Sequence, residues 1–434
     1  MYLNKHASWI FWAGVVLGCG LSWWYAMNQI IDGDQQQMLY NGYLGAYQGV
    51  WASMGNTAST VGSVPGSLLP AVVGVPLLAW DSPLSPMLFL LALRLAGFLM
   101  LDQVVRQVYP ESALARLIFL LLFWLNPWFV FESLLYNPSY LVFCAGLHLL
   151  SAWHLRERPS FWWTALHIAS IAIAVQLHFS WPLLVLLSTY LFYRGVLKPN
   201  WWAVVLVLVL AAISLIPYFE AVLANPELTQ HTDPKARERY IGWGAVNVYP
   251  VLKSVIYWVR YGSWAFPSKL VNDTAFLWLA SAWAQAAAVF TWRAVLFFLA
   301  AITMVASVLA NVAALKEVRG RWRRGQGDLQ PKHWLLVYTL GAFVAALISA
   351  GLAPIVFNYW HLMLIFPFAL FPILYWLVSH VYRGAERQTR PLVVVALIFL
   401  VINLVALNDS RKFSWQANYQ EQVKNYIELQ FGAR

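Results

Sequence analysis

The chain has 434 residues, 61% of them hydrophobic and only 11% charged, with a mean hydropathy of +0.61. Soluble domains carry roughly 25% charged residues, so this surplus excludes a soluble core and requires lipid as the solvent. The net charge of +10 does not point to nucleic acid, because Lys and Arg fall in short clusters between apolar runs, as they do in cytoplasmic loops of membrane proteins. The expected fold is all-α, a polytopic transmembrane helical bundle of about eleven spans at ~20 apolar residues each. Lys5 and His6 precede an apolar run from about Ser8 to Met27, which is longer than a signal-peptide core and has no small-x-small cleavage site after it, so it reads as a retained first span. Further spans follow near 86–105, 114–131, 138–155, 161–179, 181–193, 201–219, 292–314, 334–352, 359–381 and 391–408.

Orientation follows from the basic clusters. Arg156/Arg158, Arg194/Lys198, Lys316 to Arg324 with Lys332, and Arg383/Arg387/Arg390 all fall on the side of Lys5 and are expected to be cytoplasmic. Two long segments then face outward, 31–83 and 220–291. Each holds apolar stretches (Gly66–Trp80, Val248–Phe266 and Ala275–Phe290) that read as helices lying in the interface. Were two of them to cross, the count would be thirteen with the same orientation. Residues 1–408 form one expected module, including these outer loops. Residues 409–434 form a polar outer tail whose Phe413, Trp415 and Tyr419 can rest on the surface. The 25 Trp and 21 Tyr suit a large interfacial area. Cys19 and Cys144 sit in apolar runs and read as buried small hydrophobes. Among His148, His154 and His167 no ligand spacing is recognisable. Asp102 and Arg106, at i and i+4, read as a structural ion pair. No Walker loop, His-Glu-x-x-His or Cys-x-x-Cys occurs.

The polar residues that can carry chemistry concentrate at outer span ends. Asp32 and Asp34 emerge where the first span leaves the membrane, and either carboxylate can act as a general base or bind a metal; the plain alternative is helix termination with Gly33 as a cap. Arg94 opens the second span. Glu132 and Asn137-Pro138-Ser139-Tyr140 occupy the next outer turn. Glu132 can orient an acceptor or balance Arg94. Gln176-Leu177-His178-Phe179 ends another span, and Asn358-Tyr359-Trp360-His361 enters a late one. In the second outer segment, Lys235, Arg237, Arg239, Lys253, Arg260 and Lys269 supply cations. Arg260, within Tyr257-Trp258-Val259-Arg260-Tyr261, stands out among them because Arg meets an anion in bidentate fashion. Snorkelling to lipid headgroups is the competing explanation for each of these cations.

This arrangement resembles the GT-C superfamily of membrane glycosyltransferases, nearest the protein O-mannosyltransferases and the bacterial transferases that put aminoarabinose on lipid A. The resemblance covers most of residues 1–380 as an order of features: acidic residues after the first span (Asp32, Asp34), a Pro-containing apolar stretch (63–80), Arg94-Leu95 as the second span begins, a functional turn (Glu132, Asn137), and an aromatic–basic pair in a late span (Tyr359, His361). It departs in the Gly33 that splits the acidic pair and in His361 where Arg is usual. The resemblance implies sugar transfer, with inversion, from a polyprenyl-phosphate donor to an envelope glycan, lipid or protein acceptor at the outer face of the inner (plasma) membrane. Asp32, Asp34 and Glu132 are then the catalytic candidates, and Arg94, Asn137, His178, Arg260, Tyr359 and His361 the substrate-binding ones. Members with and without a divalent metal exist, and one Asp-x-Asp does not decide between them. The alternatives are a lipid or polysaccharide transporter or flippase, which would place charged or broken segments at mid-membrane, and a non-catalytic envelope assembly factor, which would tolerate loss of the acidic pair.

Overall fold

The computed structural model describes residues 2–58, 62–229, 248–260, 267–323, 329–353, 358–382 and 390–432. Helices dominate. Among the described residues, six of them are long and apolar enough to cross a membrane: Tyr2–Met27 (α1), Leu84–Val108 (α4), the first forty residues of Ala282–Arg323 (α14), Pro331–Leu352 (α15), the 3-10/α run Tyr359–Val381 with Phe366–Trp376 (α16) at its centre, and Arg390–Asn408 (α17). A seventh comes from Trp201–Ser214 (α10) and Ile216–Ala224 (α11), bent by 42° where Pro217 cannot donate to the helix ladder. The chain is therefore a multi-pass membrane protein.

The other four expected spans fall on shorter helical segments, for local reasons. Ala113–Phe119 (α5) runs on as a π turn to Trp124 and stops, and Pro127–Phe131 (α6) starts afresh. Asn126 caps that restart through Oδ1, which accepts from Trp128 N at 2.9 Å, and Pro127 sits at its first turn. The expected continuous span 114–131 is thus broken at Asn126. Leu141–Leu155 (α7) is entered through the 3-10 turn Asn137–Tyr140, and Phe161–Leu177 (α8) and Pro182–Tyr193 (α9) follow.

The outer segments also differ in part from expectation. The helix expected over Ala275–Phe290 begins only at Ala282 and is continuous with the span after it, giving a helix of 42 residues. Arg293 does not interrupt it, because its guanidinium reaches Asp273 at 2.9 Å and the Val271 carbonyl at 2.9 Å. Val248–Arg260 (α12) buries Pro250, Ser254 and Trp258 at four-residue intervals, and Trp258 Nε1 donates to Asn311 Oδ1 at 3.0 Å. Its thirteen described residues reach about 20 Å; residues 261–266 of the expected stretch lie outside the described residues, and the short helix Pro267–Leu270 (α13) follows. In the first outer segment, Gly33–Gln48 (α2) packs on Leu68–Ala79 (α3), joined through the antiparallel strands Met54–Thr57 (β1) and Ser63–Pro65 (β2). A Cβ on Gly74 would lie 2.7 Å from the Gly42 carbonyl oxygen, so the two helices touch backbone to backbone. The same holds in the membrane bundle, where a Cβ on Gly146 of α7 would meet the Gly97 carbonyl of α4 at 2.5 Å.

The tail is not free on the surface. Asp409–Ser410 (β3) and Phe413–Ser414 (β4) form a tight hairpin, followed by Tyr419–Phe431 (α18). Phe413 and Tyr419 are fully buried, and only Trp415 remains exposed. Nor does Asp102 pair with Arg106. It accepts from Nε and Nη2 of Arg116, at 3.0 and 2.6 Å, because α5 crosses α4 at that level.

Candidate functional site

Loop ends assigned to the outer face meet around one cavity of 540 Å³. It is built from the exit of α1, the start of α2, β1–β2, the turn after α6, the ends of α8, the segment before α14, the 3-10 entry to α16 and the C-terminal hairpin. Of the predicted site residues, Asp32, Asp34, Glu132, Asn137, His178, Tyr359 and His361 line it. Arg94 and Arg260 do not.

Hydrogen bonds from the first span's exit hold these parts together. Gln29, wholly buried, accepts from Leu135 N at 2.9 Å and from Gln35 Nε2 at 3.2 Å. That fixes the turn carrying Glu132 against the helix end carrying Asp32. Asp32 begins α2 in a capping box with Gln35, so its carboxylate stands at a helix N-terminus, where negative charge is favoured. Asn56 of β1 donates to the Asp34 backbone carbonyl at 3.0 Å. Arg94 is buried in α4 and spends its guanidinium on two backbone carbonyls, Glu132 at 2.9 Å and Phe129 at 2.6 Å, while lying 4.1 Å over the Phe129 ring. It therefore supports the Glu132 turn through the main chain and does not pair with the Glu132 carboxylate.

The cations that line the cavity are Lys269, Arg411 and Lys412. Sequence reasoning named Lys269 only as one of a group, and missed Arg411 and Lys412 because the tail carries no apolar periodicity to place it. The hairpin is stitched in by its backbone: Ile30 N donates to Lys412 O at 2.9 Å, Ser414 N to Asn28 O at 3.1 Å, and Arg411 N to Lys269 O at 3.2 Å. Asp409 anchors it from the other side, accepting from Asn272 Nδ2 at 2.8 Å and from the Thr274 hydroxyl. Lys412 Nζ then reaches both oxygens of Asp32 at 3.1 Å. Lys269 Nζ lies 3.7 Å over the Tyr359 ring. Arg260, at the end of α12, is close enough to act on Lys269 through its charge. Lys235, Arg237 and Arg239 lie outside the described residues.

Burial sets the electrostatics. The Asp34 carboxyl is pushed up mainly by desolvation within the cavity wall; Lys412 opposes the shift and Asp32 adds to it. Glu132, 1% exposed, is pushed up by burial against the opposing pull of Lys269, Arg94 and a hydrogen bond from Tyr359. Lys269 is pushed down to about 8, first by burial, with Glu132 opposing. Among the described residues, two buried acceptor atoms in the wall have no hydrogen-bond partner: Glu132 Oε1 and Asn56 Oδ1. Buried acceptors of this kind are rare unless a ligand or water uses them. On the far wall, Asn137 Nδ2 donates to the Leu177 carbonyl at 3.1 Å, and the His178 and His361 rings lie 5.3 Å apart. Among the described residues, no group of three or more His, Cys, Asp or Glu side chains is placed to hold a metal ion.

The cavity can bind a polyhydroxylated, anionic ligand, offering carboxylates to hydroxyls on one side and cations to phosphate on the other. No protein-family profile matches the chain, and no curated protein does. Two solved structures are similar to it, both of ArnT from Cupriavidus metallidurans. The one bound to undecaprenyl phosphate is 12% identical over 87% of this chain and 78% of that one, with a TM-score of 0.39. The apo structure is 14% identical over 98% of this chain and 89% of that one, with a TM-score of 0.40. At these values the likeness is distant, and what the cavity can do follows from its own side chains.

Proposed function

We propose that the protein is a glycosyltransferase that moves a sugar from a polyprenyl-phosphate donor to a hydroxyl of an envelope glycan, lipid or protein acceptor, with inversion, at the outer face of the inner membrane. The observation that carries this reading is the cavity itself. Three carboxylates (Asp32, Asp34, Glu132) and three cations (Lys269, Arg411, Lys412) share one pocket at one end of a helical bundle with exposed apolar flanks. In the reaction, the acceptor oxygen attacks the anomeric carbon from the face opposite the phosphate. The bond from that carbon to the phosphate oxygen breaks, and the lipid phosphate leaves. The acceptor's proton goes to a carboxylate, Asp32 or Asp34, with Glu132 assisting. The charge developing on the phosphate is met by the cations in a partly dehydrated site, where each is worth more than in water. Asn137, His178, Tyr359 and His361 contact the sugar or the acceptor, and Arg94 keeps the Glu132 turn in place. A lipid-carried donor suits an outward site, because nucleotide sugars stay in the cytoplasm.

The test is transfer by the purified protein in nanodiscs, with a panel of labelled polyprenyl-phosphate sugars and envelope acceptors. Wild type is expected to transfer, and Asp32→Asn or Asp34→Asn to lose roughly 100-fold or more where the base is removed. No transfer from wild type with any donor, together with movement of lipid between leaflets, would replace this reading with the flippase.

A further inference from the structure

Charge is unevenly matched inside the cavity. Asp32 has both oxygens on Lys412, and the Glu132 carboxyl takes a hydrogen bond from Tyr359 beside Lys269. One acid and one base then remain whose side chains make no hydrogen bond or ion pair among the described residues, Asp34 and Arg411, and both line the pocket. Arg411 is fixed at its root. Its own N–H and the neighbouring Lys412 carbonyl are tied to Lys269 and Ile30, and Phe413 is buried against Tyr25 and Phe131, with ring centroids at 4.6 and 5.2 Å. With its backbone held and its planar fork at the pocket, Arg411 can meet an anion with several oxygens in bidentate fashion.

We infer that the C-terminal hairpin is the anion-binding element of the site: Arg411 takes the phosphate of the lipid donor, the Lys412–Asp32 pair is a latch that holds the hairpin in place, and Asp34 is the base. That the anion belongs to a sugar donor rests on the function proposed above; the anion site itself does not. Asp32 is then a positioning residue. Both of its oxygens are engaged by Lys412, whereas the Asp34 side chain lines the cavity with no hydrogen bond or ion pair among the described residues.

The experiment is binding of farnesyl phosphate, a short polyprenyl monophosphate, to the full-length protein, with farnesol as the uncharged control and melting temperature followed throughout. Arg411→Ala is expected to weaken farnesyl phosphate binding at least tenfold, Arg411→Lys by less, and neither to change farnesol binding. Asp34→Asn should bind the phosphate as tightly as wild type or more tightly. Lys412→Asp should weaken it, and D32K/K412D should restore it. Wild-type affinity in Arg411→Ala or Arg411→Lys, no binding by wild type, or failure of the charge swap to recover binding in a folded protein would each overturn the assignment. Binding through Arg411 without sugar transfer from any donor would remove the transferase reading and leave the anion site standing. Transfer with unchanged donor affinity in Arg411→Ala would do the reverse.

Discussion

His148 and His167 deep in the bundle, and the carboxylates at its rim, are both clusters of titratable side chains among apolar helices, but they are finished differently. In the His148–His167 pair every ring nitrogen has a partner. His148 meets the Tyr338 hydroxyl at 2.6 Å and Ser188 Oγ at 2.9 Å, and His167 meets Ser188 Oγ at 3.0 Å and Ser151 Oγ at 3.1 Å. Four helices, α7, α8, α9 and α15, are thereby pinned in one rotation about their axes. At the rim, among the described residues, Glu132 Oε1 and Asn56 Oδ1 are buried without a partner, and the Asp34 and Arg411 side chains line the cavity without a hydrogen bond or ion pair. A closed network fixes structure, while an incomplete one is where a ligand completes the bonding. The contrast separates two sets of polar residues that composition alone treats alike.

The largest effect that tests the contrast belongs to the closed network. His148→Ala removes a partner from Tyr338 and from Ser188 and opens a void, so it should cost about 2–4 kcal/mol of stability while leaving transfer per folded molecule within about twofold. Unfolding in detergent alongside specific activity would check this; lost activity at unchanged stability would erase the distinction.

Next comes Glu132→Gln, which should lower transfer by roughly 10–100-fold without lowering stability. The sign follows from burial. The folded carboxyl titrates above its ordinary value of 4.5, so ionising it at neutral pH costs stability, and Gln carries no such cost. Any gain in melting temperature should therefore appear at about pH 7 and vanish as the pH falls below about 4.5, where wild type is protonated too.

The smallest effect is a pH dependence of donor binding. Lys269 loses its proton as pH rises through about 8, so affinity for a polyprenyl phosphate should fall a few-fold across that interval at constant ionic strength. Lys269→Arg, which stays charged, should remove the decline. A flat profile in wild type would take Lys269 off the anion.

Much of this geometry was legible in the sequence. Once each apolar run is taken to cross, parity sends Asp32, Glu132, Asn137, His178 and His361 to the same side, and residues on one side of a small bundle are neighbours. What stayed hidden depends on contacts that no local pattern encodes. Arg260 and Lys269 lie in one segment of the sequence, and side-chain chemistry favours Arg260, yet α12 packs through Trp258 and Lys269, not Arg260, lines the wall. Arg411 and Lys412 sit in a hairpin of two-residue strands, too short to leave an alternating signature, and its place is set by main-chain bonds to residues nearly the whole chain away. The continuation of α14 through Arg293 was hidden because its partners, Asp273 and the Val271 carbonyl, precede the helix in a turn that has no helical periodicity of its own.

The bond between Lys412 and Asp32 spans 380 residues of sequence, and this orders events during synthesis. At roughly 5–20 residues per second, Asp32 leaves the ribosome some tens of seconds before its partner does. In that interval the carboxylates sit at the membrane surface without the hairpin that completes their pocket. The helix Arg390–Asn408 must be inserted before the hairpin can cross to meet them. Insertion of that helix therefore precedes closure of the pocket, and a half-made protein carries Asp32, Asp34 and Glu132 without Arg411 and Lys412 beside them.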